Sequence, residues 1–284
     1  MSDFKQKVYE LRERVRENYP DVGVKPHVSI QTPTLNDLYF QTILEAVKHG
    51  RINLVESGSF AGEYRLELDH ATLIVTNPTT RPLAPIPREG VIVTTNDEAI
   101  EEYFNAAIIC GDTIPEKEHY TYGAWLGGIH DPSIPLEKNG IPRGIKFDQI
   151  EWCINHFVNS GFGTNHCAMT VGCAEGLKRY DWTVEKGELE KDEKPSTECL
   201  RAVSAKIKRD KLNLSTFWRS WDLAAGLPQN LGGLVRLMEY MGDEINKRKK
   251  PEQPIITPGV FYATSDGLHI YEHNLDLTKL ILNL

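Results

Sequence analysis

From Cys199 onward the residues alternate in character. Val203, Ala205 and Ile207 interleave with Ser204, Lys206 and Lys208, and after an Asp210-Lys211 turn come Leu212, Leu214, Thr216 and Trp218. A period of two marks a half-buried strand, and two such runs around a tight turn make a hairpin. Strands of matching length return to the same end, so Cys199 ahead of the first and Arg219 after the second are expected close in space. A cation beside a thiol stabilises the thiolate, which is the nucleophilic form. Any fold for this chain must therefore contain an antiparallel pair that carries Cys199 and Arg219 at one end.

The rest of the chain alternates helical and strand patterns. Phe4, Val8, Leu11 and Val15 predict an amphipathic helix over 1–18, and Pro20 and Pro26 break the chain after it. Residues 1–30 are read as an N-terminal helical extension and 31–284 as the catalytic domain. A second helix is expected from Asn36-Asp37 to Gly50, strands within 52–77, and a loop at 78–90, which holds Pro78, Pro82, Pro85 and Pro87. Another helix is predicted from Asn96 to about Cys110, and one capped by Asp148 that ends near Gly161, with Ile150, Ile154 and Phe157 inward. The charged stretch 183–196 reads as a solvated excursion. A long helix over 230–246 and strands near 256–263 and 267–272 complete the pattern. Strands and helices follow no βαβ rhythm, so the fold class is α+β, with a mixed or antiparallel sheet flanked by helices.

Composition narrows the partners. Lys plus Arg number 32 and Asp plus Glu 40, a net charge of −8, which excludes broad phosphate-binding surfaces for nucleic acid or anionic membrane. No apolar run approaches the roughly 18 residues of a membrane span, and the Met-Ser-Asp-Phe-Lys-Gln-Lys start has no signal-peptide character. The five cysteines are odd in number and irregularly spaced, which fits a reducing cytoplasm. A zinc site from Cys153, His156, His166, Cys167 and Cys173 lacks a standard spacing, so no metal is expected. A cysteine hydrolase built on Cys199 and His269 would need an oxyanion hole, and no nucleophile-elbow motif surrounds Cys199.

After the hairpin come Arg219-Ser220-Trp221-Asp222, Leu227-Pro228-Gln229-Asn230 and His269-Ile270-Tyr271. Before it lie Tyr120-Thr121-Tyr122-Gly123 with Leu126, and Asp148-Gln149-Ile150. In this order, with 20 residues from Cys199 to Arg219 and 31 to Asn230, the set resembles the thymidylate synthase family and the related pyrimidine nucleotide hydroxymethylases. The likeness spans about residues 96–273 and is greatest to short-tailed archaeal-type members. It implies a thymidylate synthase-type fold whose sheet packs against its copy in a homodimer. It also implies transfer of a one-carbon unit from 5,10-methylenetetrahydrofolate to C5 of a uracil nucleotide, dUMP being the expected acceptor.

By this resemblance Cys199 attacks C6 of the base, Tyr122 helps remove the C5 proton, and Glu102 (or its neighbour Glu101) polarises the base carbonyl through water. Arg219 and Ser220 bind phosphate, Asn230 reads the N3–H and O4 edge, His269 and Tyr271 bind the ribose, and Asp222 faces the pterin of the folate. Residue by residue there are plainer readings: an ion pair for Arg219, a helix N-cap for Asn230, packing for Tyr271 and Trp218.

Three features depart from the family pattern. Thr164-Asn165-His166 stands where the family carries two adjacent arginines for the partner's phosphate, leaving Arg51, Arg65, Arg81 and Arg88 as substitutes. Gly127 replaces an arginine, and the tryptophan that packs on the folate has no counterpart. Thirteen residues follow Tyr271, fewer than the tail that shields the methylene intermediate in longer relatives; reduction to methyl is the expected outcome, and addition of water in place of hydride, leaving a hydroxymethyl group, is the alternative. A catalytically silent nucleotide-binding protein on the same fold is the reading from outside the enzymes.

Overall fold

The structure is a computed structural model; it describes residues 3–56, 60–87, 89–91, 93–109, 121–127, 147–172 and 198–283. The expected excursion 183–196, Tyr120, Cys110, Cys173 and Arg88 lie outside the described residues. The chain separates into two compact units. The first is Met1–Ile100, Trp218–Gly232 and Tyr262–Leu284; the second is Glu101–Phe217 and Gly233–Phe261.

In the first unit, α1 (Asp3–Arg16) buries Phe4, Val8, Leu11 and Val15, the residues whose spacing predicts it. They pack with Val47, Leu66 and Leu275 in one apolar cluster. Burying a side chain of this size contributes about 1.5–3 kcal/mol each, so four on one face hold a helix that is otherwise charged. Arg12 ties α1 to α2 (Leu35–His49) by donating from Nε to the Val47 carbonyl at 2.8 Å. The start of α2 falls at Thr34, whose hydroxyl accepts from the Asp37 N–H.

Three strands follow the sheet order β1 (Val28–Thr32), β3 (Tyr64–Val75), β8 (Thr257–Tyr271). Strand β1 is parallel to β3 in the register Val28↔Ala71 to Thr32↔Val75. The short β2 (Arg51–Leu54) is antiparallel to β3. The sheet is thus mixed, as expected. The predicted pair of strands at 256–263 and 267–272 is one continuous strand; Gly267, at φ +76°, lets the backbone turn locally without ending it. Helix α7 (Leu275–Leu282) then buries Leu275, Thr278 and Ile281.

In the second unit, which holds residues 257–261 of β8, the order is β8, β6 (Lys211–Trp218), β5 (Leu200–Lys208), β4 (Ala168–Thr170), with β4 antiparallel to β5. The hairpin forms, but its turn is Arg209-Asp210, both at positive φ (51° and 59°), and Lys211 already belongs to β6. A two-residue turn with both φ values positive matches the twist of the flanking strands. Helix α3 (Asp97–Tyr103) passes into a π-helical turn, Phe104–Ile109. Helix α5 (Gln149–Ser160) is capped by Asp148, whose carboxylate accepts from the Glu151 N–H. The helix expected to open at Asn230 instead begins four residues earlier: α6 runs Gly226–Arg248, its residues 226–232 counted in the first unit and the rest in the second. Pro228 does not prevent this, because a first-turn residue needs no intrahelical N–H partner.

Candidate functional site

The predicted site residues divide between the units. Arg219, Ser220, Asp222, Asn230, His269 and Tyr271 lie in the first; Cys199, Tyr122, Glu101 and Glu102 lie in the second.

In the first unit one local pairing joins two distant motifs. Strand β7 (Trp221–Asp222) runs parallel to the end of β8, with Trp221 opposite Leu268 and Asp222 opposite His269. The Leu223 N–H donates to the His269 carbonyl at 2.8 Å and closes the pairing. It sets Ser220 Oγ 3.5 Å from His269 Nδ1, and the His269 and Tyr271 rings meet edge to face at 4.5 Å.

His269 is 3% exposed. Burial pushes its imidazole down to about 4, opposed by the bond to Gly267 and aided by the cations Arg65 and Arg219. The ring is therefore neutral at physiological pH and carries a single N–H. Nδ1 lies 2.8 Å from the Gly267 carbonyl, which can only accept, so Nδ1 holds the proton and Nε2 is an acceptor. Among the described residues Nε2 meets no hydrogen-bond partner. A buried acceptor of this kind suits a ligand hydroxyl.

Asn230 sits one turn inside α6 rather than at its cap, and its Oδ1 accepts from the Trp221 indole N–H at 3.0 Å. Trp221 is 1% exposed and stacks on Trp218 at 3.9 Å and 6°. Asp222 folds back on its own chain: Oδ1 accepts from the N–H groups of Ala224 (2.9 Å) and Ala225 (3.2 Å). Burial raises its carboxyl above the usual range, and those two bonds oppose the rise. Tyr271 is covered by Phe60 at 4.5 Å and stacks with His273 at 5.5 Å. Of the arginines that sequence offers for phosphate, Arg51 pairs with Asp69 at 2.8 Å and Arg65 with Glu67 at 2.5 Å. Burial raises the Glu67 carboxyl, and Arg65 opposes it.

In the second unit, Cys199 is the one partly exposed cysteine among the three described; Cys153 and Cys167 are buried. Cys167 Sγ donates to the Cys153 carbonyl at 3.7 Å, and the Cys153 thiol is raised by its bond with Cys167 and by burial. Those two sulfurs are core residues. Tyr122 opens the buried helix α4 (Tyr122–Leu126), which is capped by the Thr121 hydroxyl.

Sequence reasoning missed the bond that ties this helix to the cysteine. Trp125, on α4, donates from Nε1 to Glu198 Oε1 at 2.9 Å, and Glu198 immediately precedes Cys199. Both are nearly inaccessible, at 2% and 1%. Arg201 Nη1 stands 3.5 Å from the other oxygen of Glu198. Gln149 bridges α4 and β4: its Nε2 donates to the carbonyls of Trp125 (2.7 Å) and Thr170 (2.9 Å), and its Oε1 accepts from the Thr170 N–H (2.9 Å). The only sequence signal was a glutamate beside the cysteine, with nothing to say it would be buried. Glu101 is paired with Arg236 at 2.6 Å, and Glu102 is exposed on α3.

His156 and His166, near the place of the missing arginine pair, meet each other at 3.1 Å. Among the described residues no three His, Cys, Asp or Glu side chains are grouped to hold a metal ion. No described helix is long and apolar enough to cross a membrane.

No protein-family model matches the chain. Over 253 residues, 89% of this chain, it is 27% identical to a Methanosarcina mazei protein named "Putative thymidylate synthase", of which 94% is covered. Proteins of the same name from Methanosarcina barkeri and Methanococcoides burtonii are each 26% identical over the same share. The structure matches thermostable thymidylate synthase A from Bacillus subtilis with a TM-score of 0.54 and 16% identity, covering 88% of this chain and 84% of that one. The chain therefore has the thymidylate synthase fold and resembles these archaeal proteins along most of its length.

Proposed function

We propose that this protein, which has the thymidylate synthase fold, is a one-carbon transferase that converts dUMP to dTMP with 5,10-methylenetetrahydrofolate as co-substrate. The observation that carries the reading is the β7–β8 pairing. It sets the Arg-Ser-Trp-Asp and His-Ile-Tyr motifs side by side and leaves a neutral, buried imidazole acceptor next to Ser220 and Tyr271.

Each role follows from a chemical need. C5 of uracil is a weak nucleophile, so the thiolate of Cys199 adds to C6 and turns the ring into an enolate whose C5 attacks the methylene carbon of the folate. Tyr122, on the helix tied to Glu198, assists departure of the C5 proton through water. Expulsion of the tetrahydrofolate nitrogen leaves an exocyclic methylene. Hydride from the same tetrahydrofolate reduces it to methyl, and the thiolate leaves C6. Arg219 carries the positive charge that favours the thiolate and holds the nucleotide phosphate. His269 accepts from the sugar hydroxyl at Nε2, with Tyr271 beside it, and Ser220 adds a phosphate bond. A carboxylate has more than two acceptor sites, so Asp222 can take a pterin N–H in addition to its two backbone donors. Glu102, exposed on α3, is the proposed glutamate for the base carbonyl because Glu101 is ion-paired.

A homodimer through the sheet belongs to the same reading; Phe217 and Tyr262, on β6 and β8, are large apolar residues left 38% and 39% exposed. The test is release of tritium from 5-tritiated dUMP in the presence of methylenetetrahydrofolate. Release that requires both Cys199 and folate supports the reading, and tight nucleotide binding with no release favours a silent binding protein.

A further inference from the structure

Asn230 carries a carbonyl oxygen and an amino group on one planar amide, and the two ends are read oppositely by different bases. Uracil presents N3–H, a donor, next to O4, an acceptor. Cytosine presents N3, an acceptor, next to an amino donor. One side chain can serve either base by rotating its amide half a turn, so an unconstrained asparagine selects weakly. Selectivity has to come from whatever fixes the amide.

We infer that Trp221 is a specificity-determining positioning residue that locks the Asn230 amide in the orientation suited to uracil. The inference rests on the reading that Asn230 meets the base. An indole N–H donates and never accepts, so the atom 3.0 Å from Trp221 Nε1 must be the asparagine oxygen. A carbonyl oxygen takes two donors, which lets Oδ1 accept from Trp221 and from N3–H together. Rotation of the amide to suit cytosine would set an N–H against the buried indole N–H of Trp221.

The indole itself has little freedom. It is 1% exposed, stacked at 3.9 Å on Trp218, and its backbone is held in β7 opposite Leu268 of β8. Gly226, at the first position of α6, lies beside the pair: a Cβ there would make ordinary contact, 3.4 Å from Asn230 Oδ1 and 3.8 Å from the Trp221 ring. Leaving one buried donor unpaired is worth about 5- to 150-fold in discrimination.

The experiment measures dissociation constants of dUMP and dCMP by calorimetry, for the full chain and for Trp221→Phe, which keeps a stacked ring and deletes the N–H. The preference for dUMP over dCMP should fall by roughly 5- to 150-fold in Trp221→Phe. In an Asn230→Asp background Trp221→Phe should leave the preference unaltered, because a carboxylate has no orientation to lock. If Trp221→Phe fails to fold, replacement of Trp221 by a benzothiophene isostere, which retains the shape without the N–H, gives the same readout. A wild-type preference for dUMP that survives loss of the indole N–H overturns the inference and leaves the reading of Asn230 intact. A fall of equal size in the Asp background also overturns it, since Trp221 would then act through packing. Equal affinity of the wild type for both nucleotides overturns the reading of Asn230 itself, and the inference with it.

Discussion

The neutral state of His269 is measurable through stability. In the unfolded chain its imidazole takes the ordinary value of 6.5; in the fold, burial lowers it to about 4. Above pH 6.5 both states are neutral at this residue and it adds no pH dependence. As the pH falls from 6.5 to 4, the unfolded chain takes up the proton and the folded one does not, so stability is lost over that window; below 4 both are protonated and the loss stops. The gap corresponds to about 3 kcal/mol in all, on the order of 1.4 kcal/mol for each pH step inside the window. Other groups titrate there too, so the quantity to compare is wild type against His269→Gln, which keeps a donor for the Gly267 carbonyl. Urea unfolding at pH 7 and at pH 4.5 should show the wild type losing about 2–3 kcal/mol more than the variant. Equal losses would show that His269 is not held neutral by burial, and the argument for Nε2 as an acceptor would fail with it.

Other outcomes follow from the same geometry. Cys199→Ala should abolish tritium release while leaving dUMP affinity, by calorimetry, within the wild-type range; residual turnover would remove this sulfur from the mechanism. Trp125→Phe leaves the buried Glu198 carboxylate without its indole donor and should destabilise the protein by about 1–3 kcal/mol in urea unfolding. It should also lower kcat more than it raises KM, because helix α4 carries Tyr122 and its bond to Glu198 holds it beside the residue preceding Cys199. Gly172→Ala should cost about 1–2 kcal/mol because φ is +79°, a conformation that L side chains rarely adopt; the Arg201 guanidinium beside it can move aside. A neutral effect on the thermal midpoint would contradict the left-handed backbone conformation at this position.

What sequence conveyed and what it withheld have a common cause. Periodicity and capping are local, so α1, the Asp148-capped helix and the Cys199 hairpin were legible from their own residues. Boundaries failed where a breaker proved compatible with the element. Pro228 fits the first turn of α6 and Gly267 bends β8 without ending it, so one helix began early and two expected strands were one. The turn moved by one residue because Arg209 and Asp210, neither of them glycine, accept positive φ. Candidate site residues were named from motif order, but the groups that hold them were not. Glu198 pairs with Trp125 across 73 positions. The helix expected to start at Asn230 gave no hint that its amide would meet Trp221. Such bonds depend on tertiary packing, and no periodicity encodes them.

Mass spectrometry of the nucleotide recovered after incubating the full chain with dUMP and 5,10-methylenetetrahydrofolate shows whether the protein methylates the base. The expected product is dTMP, lost when Cys199 is replaced by alanine. Recovery of unchanged dUMP from a folded protein with both substrates bound would contradict it.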